Sequence, residues 1–324
     1  MSQSAARIVN LLLVTDRPEQ GRSLRSALAF SQYLRILAEV TTREAYEYLA
    51  APVSEPICPK PDLLAIDVPD SGPDGIDAVF ALLRKIKTKA ELRGIPAVMF
   101  CGEEAYRQLP ETPEGCQGTL IRKPQGDAAL RWMAYHFGEY WGRVARIPPR
   151  AISPSDLEDA PISEAVTKPL ETEACRLPEQ RTIEILVVDD NDDDALLFQE
   201  SLADNGQICV SQILDDGERA LEFLRKQGPF GHARSPDLLV LDIHMPRKTG
   251  LRLLDEIQAD RSLRRFPVVM LTASQDEQDI WEAYSRGACG FVEKPPRFER
   301  FRELAIRFAN YWTLLAHLPP REPD

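Results

Sequence analysis

Short apolar runs recur along the second half of the chain, each bounded by acidic residues, proline or glycine. The runs 183–188, 208–213, 237–241, 267–271 and 289–293 are strand-length and rich in Val, Ile and Leu. Between and after them, 194–204, 217–227, 250–260, 276–286 and 297–316 carry apolar residues at helical spacing. Short apolar strands that alternate with helices predict βαβ units, a parallel sheet and helices on both of its faces. In such a sheet, reactive groups gather beyond the carboxyl ends of the strands.

The first half repeats the second. ILVVDD (185–190) answers LLLVTD (11–16), and PDLLVLD (236–242) answers PDLLAID (61–67). FPVVMLT (266–272) answers IPAVMFC (95–101), and FVEKP (291–295) answers LIRKP (120–124). Even the ends agree: YWTLLAHLPPR (311–321) against YWGRVARIPPR (140–150). One module is duplicated. Between the copies, 151–182 carries Pro154, Pro161, Pro169 and Pro178 among many acids and has no sustained apolar period. It reads as an acidic linker between domains at 1–150 and 183–324.

Polar residues fall where the strands of the second half end. Asp189 and Asp190 close the first, Asp242 the third, Thr272 the fourth and Lys294 the fifth. All five should meet in one pocket. Three crowded carboxylates repel one another and call for a cation, and hard oxygen donors with room for water suit Mg²⁺. A Lys and a hydroxyl at the same mouth suit a phosphoryl group. The set reads as a carboxylate nucleophile that accepts phosphoryl with metal help. The run Asp190 to Asp194 fails as an EF-hand loop, because Ala195 stands where Gly is needed and Ser201 where the bidentate Glu should be. Asp192, Asp193 and Asp194 read as first-turn acids favoured by a helix dipole.

This constellation resembles the receiver domain of two-component response regulators over nearly all of 183–318. The resemblance implies a flavodoxin-like α/β fold with a five-stranded sheet. It implies that Asp190 is a direct Mg²⁺ ligand, that Asp189 acts through water, and that the backbone carbonyl of His244 is a further ligand. Asp242 would be the phosphoacceptor, Thr272 the switch hydroxyl, Phe291 the switch aromatic and Lys294 the phosphoryl-neutralising cation. It also implies a cis Lys294–Pro295 bond. HMPRKTG after Asp242 and the tail RFANYWTLLAHLP are similar to small receivers that partner bacterial phytochrome histidine kinases. That similarity implies a histidine kinase partner, a bacteriophytochrome among the candidates, and a homodimer through the C-terminal helix.

The first half looks like a weakened copy. Asp16, Asp67 and Lys123 keep the metal, acceptor and Lys positions. Thr15, Cys101 and Leu120 replace the first acid, the switch hydroxyl and the switch aromatic. Pro110 and Pro113 fall in the stretch of its fourth helix. Asp67 stays a candidate second acceptor beside the reading of this half as a binding domain, with weaker metal binding at Asp16 and Asp67. Cys101 reads as core. Tyr311 and Trp312 admit two readings: they pack the last helix onto its own sheet, or they extend a dimer surface.

Composition narrows the function. The 324 residues carry a formal net charge of −12, which disfavours nucleic acid and anionic membranes as partners. No apolar run approaches a membrane span, and the N-terminus lacks a secretory core. Six scattered cysteines without a CxxC pair fit a reducing, cytoplasmic setting. No effector domain is recognisable after the second module. The expectation is therefore a cytoplasmic response regulator that acts through protein contacts and is not a conventional enzyme. The alternative is an adaptor that docks partners without phosphorylation.

Overall fold

The computed structural model describes residues 7–51, 60–70, 72–108, 119–148 and 181–319. The first half runs β1 (Val9–Val14), α1 (Pro18–Ala29), β2 (Leu34–Val40), α2 (Thr42–Ala50), β3 (Leu63–Val68), α3 (Gly72–Thr88), β4 (Ala97–Cys101), α4 (Glu103–Gln108), β5 (Thr119–Arg122) and α5 (Asp127–Arg143). The second runs β6 (Ile183–Val188), α6 (Asp192–Leu202), β7 (Ile208–Leu214), α7 (Gly217–Leu224), β8 (Leu238–Leu241), α8 (Gly250–Ala259), β9 (Val268–Thr272), α9 (Glu277–Arg286), β10 (Gly290–Glu293) and α10 (Phe298–Leu314). A short β11 (Ala316–His317) follows.

Both sheets have the doubly wound order of the flavodoxin type, β2-β1-β3-β4-β5 and β7-β6-β8-β9-β10, with parallel neighbours throughout. The central strands are buried on both faces, which is why they read as continuous apolar runs. The duplication extends to an irregularity. β1 and β2 slip register between Leu11 and Leu12, and β6 and β7 slip between Ile185 and Leu186, the matching pair. Helix starts follow side-chain caps: Asn191 for α6, Asp216 for α7, Thr249 for α8 and Asp276 for α9.

The halves pack against each other, a point the sequence leaves open. Tyr140 of α5 stacks on Tyr311 of α10 at 3.9 Å between ring centroids, and Trp141 and Trp312 are buried beside them. Arg307 Nε donates to Glu139 Oε2 at 2.9 Å. β11 adds antiparallel to β5, with Ala316 opposite Ile121 and His317 opposite Leu120. Conversely, Ala145 from the tail of the first half bridges Val292 of β10. The first sheet therefore has six strands, not five. Tyr311 and Trp312 pack in an interface between the two halves of the chain, a third arrangement beside the two readings of them from sequence. The stretch 151–180 of the acidic linker lies outside the described residues. Arg181, taken as its penultimate residue, is docked: it pairs with Asp237 at 2.7 Å and donates to the Pro319 carbonyl at 2.8 Å. Arg7 does the same in the first half, with Asp62 at 2.8 Å and the Ile147 carbonyl at 3.2 Å.

Candidate functional site

At the carboxyl edge of the second sheet, the five expected residues converge. Asp189 follows β6, Asp242 follows β8, Thr272 is the last residue of β9 and Lys294 follows β10. Lys294 Nζ lies 2.7 Å from Asp189 Oδ2 and 2.8 Å from Asp242 Oδ2. It also lies 3.0 Å from Asp194 Oδ2 on the first turn of α6. The backbone helps to aim it, since Lys294 N donates to Thr272 O at 2.8 Å. The Lys294–Pro295 bond is trans, against expectation; no cis peptide occurs among the described residues.

Asp242 is fixed from its other oxygen. Its Oδ1 accepts from Ile243 N at 2.6 Å and from His244 N at 3.3 Å. Behind it, α8 begins so close to β8 that a Cβ on Gly250 would lie 1.9 Å from the Asp242 carbonyl oxygen. Only glycine lets the helix start there. Thr272 is wholly buried, and its hydroxyl oxygen accepts from Ser274 N at 3.2 Å. Phe291 is also fully buried. The His244 ring projects outward toward Asp279, with Nε2 3.5 Å from Oδ2.

Carboxylate oxygens of Asp189, Asp190 and Asp242 come within 4.8 Å of one another, and Asp190 is exposed at the mouth. An all-carboxylate set with an open side has the chemistry of a Mg²⁺ site that keeps water ligands. Burial pushes the Asp189 carboxyl up to about 6 despite its bonds to Lys294. Burial pulls Lys294 the other way from its neighbours, yet the Asp189 and Asp242 carboxylates outweigh it and hold the ammonium pKa above its ordinary value. The pocket is largely buried, and its one cation, Lys294, faces three carboxylates, so negative charge is left over.

Sequence reasoning missed Asp194. As the third acid of a helix start it reads as a dipole partner, and its contact with Lys294 depends on the lysine reaching from the end of β10 to the first turn of α6. The signal available was the run of acids itself.

The first-half pocket keeps part of this. Asp67 pairs with Lys123, and Thr15 Oγ1 donates to Asp67 Oδ2 at 3.4 Å. Asp16 is engaged elsewhere: Oδ1 accepts from Thr42 N at 2.8 Å and Oδ2 from Thr42 Oγ1 at 2.6 Å. That binds its carboxylate to the start of α2, which leaves Asp67 as the carboxylate facing Lys123. Cys101 is buried in the core, as expected. Leu120 lies opposite His317 of β11. α4 ends at Gln108, and Pro110 and Pro113 lie outside the described residues.

The profile of the response regulator receiver domain family matches residues 185–306. The response regulator Rcp1 of Synechocystis sp. is 32% identical over 135 residues, covering 42% of this chain and 92% of Rcp1. The chemotaxis protein CheY of Pseudomonas aeruginosa is 36% identical over 113 residues, covering 35% of this chain and 85% of CheY. Among solved structures, the phosphorylated cyanobacterial phytochrome response regulator RcpA aligns at a TM-score of 0.41 and 33% identity, over 43% of this chain and 99% of RcpA.

Proposed function

The chain belongs to the response regulator receiver family, and on that premise we propose that it accepts a phosphoryl group from a histidine kinase at Asp242. The observation that carries this reading is the pocket in which Lys294 joins Asp189 and Asp242, with the Thr272 hydroxyl on the neighbouring strand end. In the transfer, an oxygen of Asp242 attacks phosphorus, an acyl phosphate bond forms, the phosphorus–nitrogen bond to the kinase histidine breaks, and the imidazole leaves. Asp189, Asp190 and Asp242, with the His244 carbonyl, would hold a Mg²⁺ ion, whose charge offsets that of the phosphoryl oxygens. Lys294 neutralises a further oxygen, and Thr272 donates a hydrogen bond to another.

Signalling then proceeds through protein contacts. The similarity of HMPRKTG and of the tail RFANYWTLLAHLP to small receivers that partner phytochrome kinases favours a phytochrome-type kinase as the source of phosphoryl. In the first half, Thr15 in place of the first acid and the engagement of Asp16 with Thr42 favour a binding domain over a second working acceptor.

The test uses the full chain with Mg²⁺ and acetyl phosphate. A single base-labile phosphoryl mass should appear and map to Asp242, and it should vanish in Asp242→Asn. A full equivalent on Asp242→Asn would remove Asp242 from the role. Labelling at Asp67 would make the first half a second acceptor.

A further inference from the structure

β10 is the edge strand of the second sheet, and its outer backbone groups need partners that no strand of that half supplies. The first half and α9 supply them together. Arg146 N donates to Phe291 O at 2.7 Å. Tyr284 Oη of α9 accepts from Phe291 N at 3.1 Å and donates to Arg146 O at 2.8 Å. These three bonds close a circuit through α9, β10 and the tail of the first half. Two more contacts hold α9: Lys87 Nζ donates to Tyr284 O at 3.3 Å, and the Trp281 ring packs so close that a Cβ on Gly94 would lie 2.3 Å from it.

A short path joins this circuit to the pocket. Thr272 faces Glu293 in the β9–β10 register. The Thr272 hydroxyl holds Ser274 N, and the next residue, Gln275, donates from Nε2 to Glu293 Oε1 at 2.5 Å. Glu293 in turn pairs with Arg146 at 3.0 Å. Any movement of the Thr272 hydroxyl toward a new anion pulls on the loop that carries Gln275. That loop shares Glu293 with the first half.

We propose that the first half is the built-in reader of the second: the phosphorylation state of Asp242 passes through Gln275, Glu293 and Tyr284 to Arg146, and the partner of the α9–β10 face is this chain's own first domain. The proposal rests on Asp242 being the acceptor. It gives the weakened pocket of the first half a physical sense, because a reader needs an interface and not a working acceptor. A ligand shifts a structure only through contacts that differ between its two states. Under the proposal, the contact that differs between the states is the Glu293 shared by Gln275 and Arg146.

The experiment is amide exchange on the full chain with Mg²⁺, with and without beryllofluoride. Wild type should change exchange in the pocket loops 243–248 and 273–276, and also at 144–148, by about fivefold or more. Tyr284→Phe and Glu293→Gln should keep the pocket response and lose most of that at 144–148. Glu293→Gln removes a partly exposed charge outside the core, so it guards against a Tyr284→Phe protein that fails to fold. A pocket response with 144–148 unchanged in wild type overturns the reader and leaves the acceptor standing. An undiminished response at 144–148 in both variants overturns the route and with it the proposal. No response in the pocket loops overturns the acceptor reading itself.

Discussion

Lys294 Nζ stands within 3.0 Å of three carboxylates, and two of them are buried. Removing a partner from a buried ion pair costs about 3–5 kcal/mol, because the charge left behind stays desolvated. Lys294→Ala should therefore destabilise the metal-free protein by about that much. Mg²⁺ should recover most of the loss by neutralising the same carboxylates. Urea unfolding with EDTA and with Mg²⁺ measures both, and an equal loss in the two conditions would mean that Lys294 and the metal do not share these carboxylates. Asp189 adds a pH dependence. Its folded value of about 6 lies above the ordinary 3.8, so the folded state holds this proton more tightly than the unfolded state. Its contribution to metal-free stability is thus fully present below pH 3.8 and is lost as pH rises through 6. Mg²⁺ needs the ionised form, so its affinity should run the opposite way, falling by up to about tenfold per pH unit below 6. Calorimetric Mg²⁺ titrations from pH 5 to 8 check the sign; affinity that is flat across that range would remove Asp189 from the site.

The start of α8 shows how an element places a side chain. A Cβ on Gly250 meets the Asp242 carbonyl at 1.9 Å and Met270 Cε at 3.0 Å. Gly250→Ala must push α8 off β8, and overpacking of this kind costs about 1–3 kcal/mol. The same shift moves Asp242, so phosphoryl uptake from acetyl phosphate should slow well beyond what the stability loss explains. Unchanged uptake rates in a folded Gly250→Ala protein would show that the acceptor tolerates the displacement. Most such elements were legible in the sequence. β6 runs 183–188 as read, and the other strands of the second half start and end within a residue of their runs; for the central strands this is because doubly buried strands leave an unbroken hydrophobic signature. The pocket was legible for the same reason: strand ends fix where Asp189, Asp242, Thr272 and Lys294 must meet. The last helix was read too long, to 316, whereas α10 stops at Leu314 and β11 begins at Ala316. Two residues carry no period, and β11 exists only because β5 offers it an edge. The engagement of Asp16 with Thr42 and the reach of Asp194 to Lys294 were hidden likewise, since each depends on how two elements lie across one another.

At the scale of the molecule, the shared core decides how the chain unfolds. One continuous apolar cluster takes in α1 and α5 of the first half and both faces of the second half's sheet, with Tyr140, Trp141, Tyr311 and Trp312 inside it. The face of the first sheet toward α3 forms a separate cluster of its own. A domain pair joined by a small polar interface would unfold in two steps, but here the boundary between the halves is part of the core itself. Heating should therefore give one cooperative transition for both halves. Mg²⁺ held by the carboxylates of the second half should raise that single transition by a few degrees, since a ligand at 100 times its Kd adds about 2.7 kcal/mol to whatever unit it stabilises. Gly290 provides the control. A Cβ there would lie 2.6 Å from Tyr140 Oη, so Gly290→Ala wedges the aromatic interface apart without touching either pocket. In that variant the transition should split, and only the part belonging to the second half should still rise with Mg²⁺. Differential scanning calorimetry of both proteins, with Mg²⁺ and with EDTA, distinguishes the cases. Two separate transitions in wild type, one of them indifferent to Mg²⁺, would show that the halves share a chain but not a folding unit.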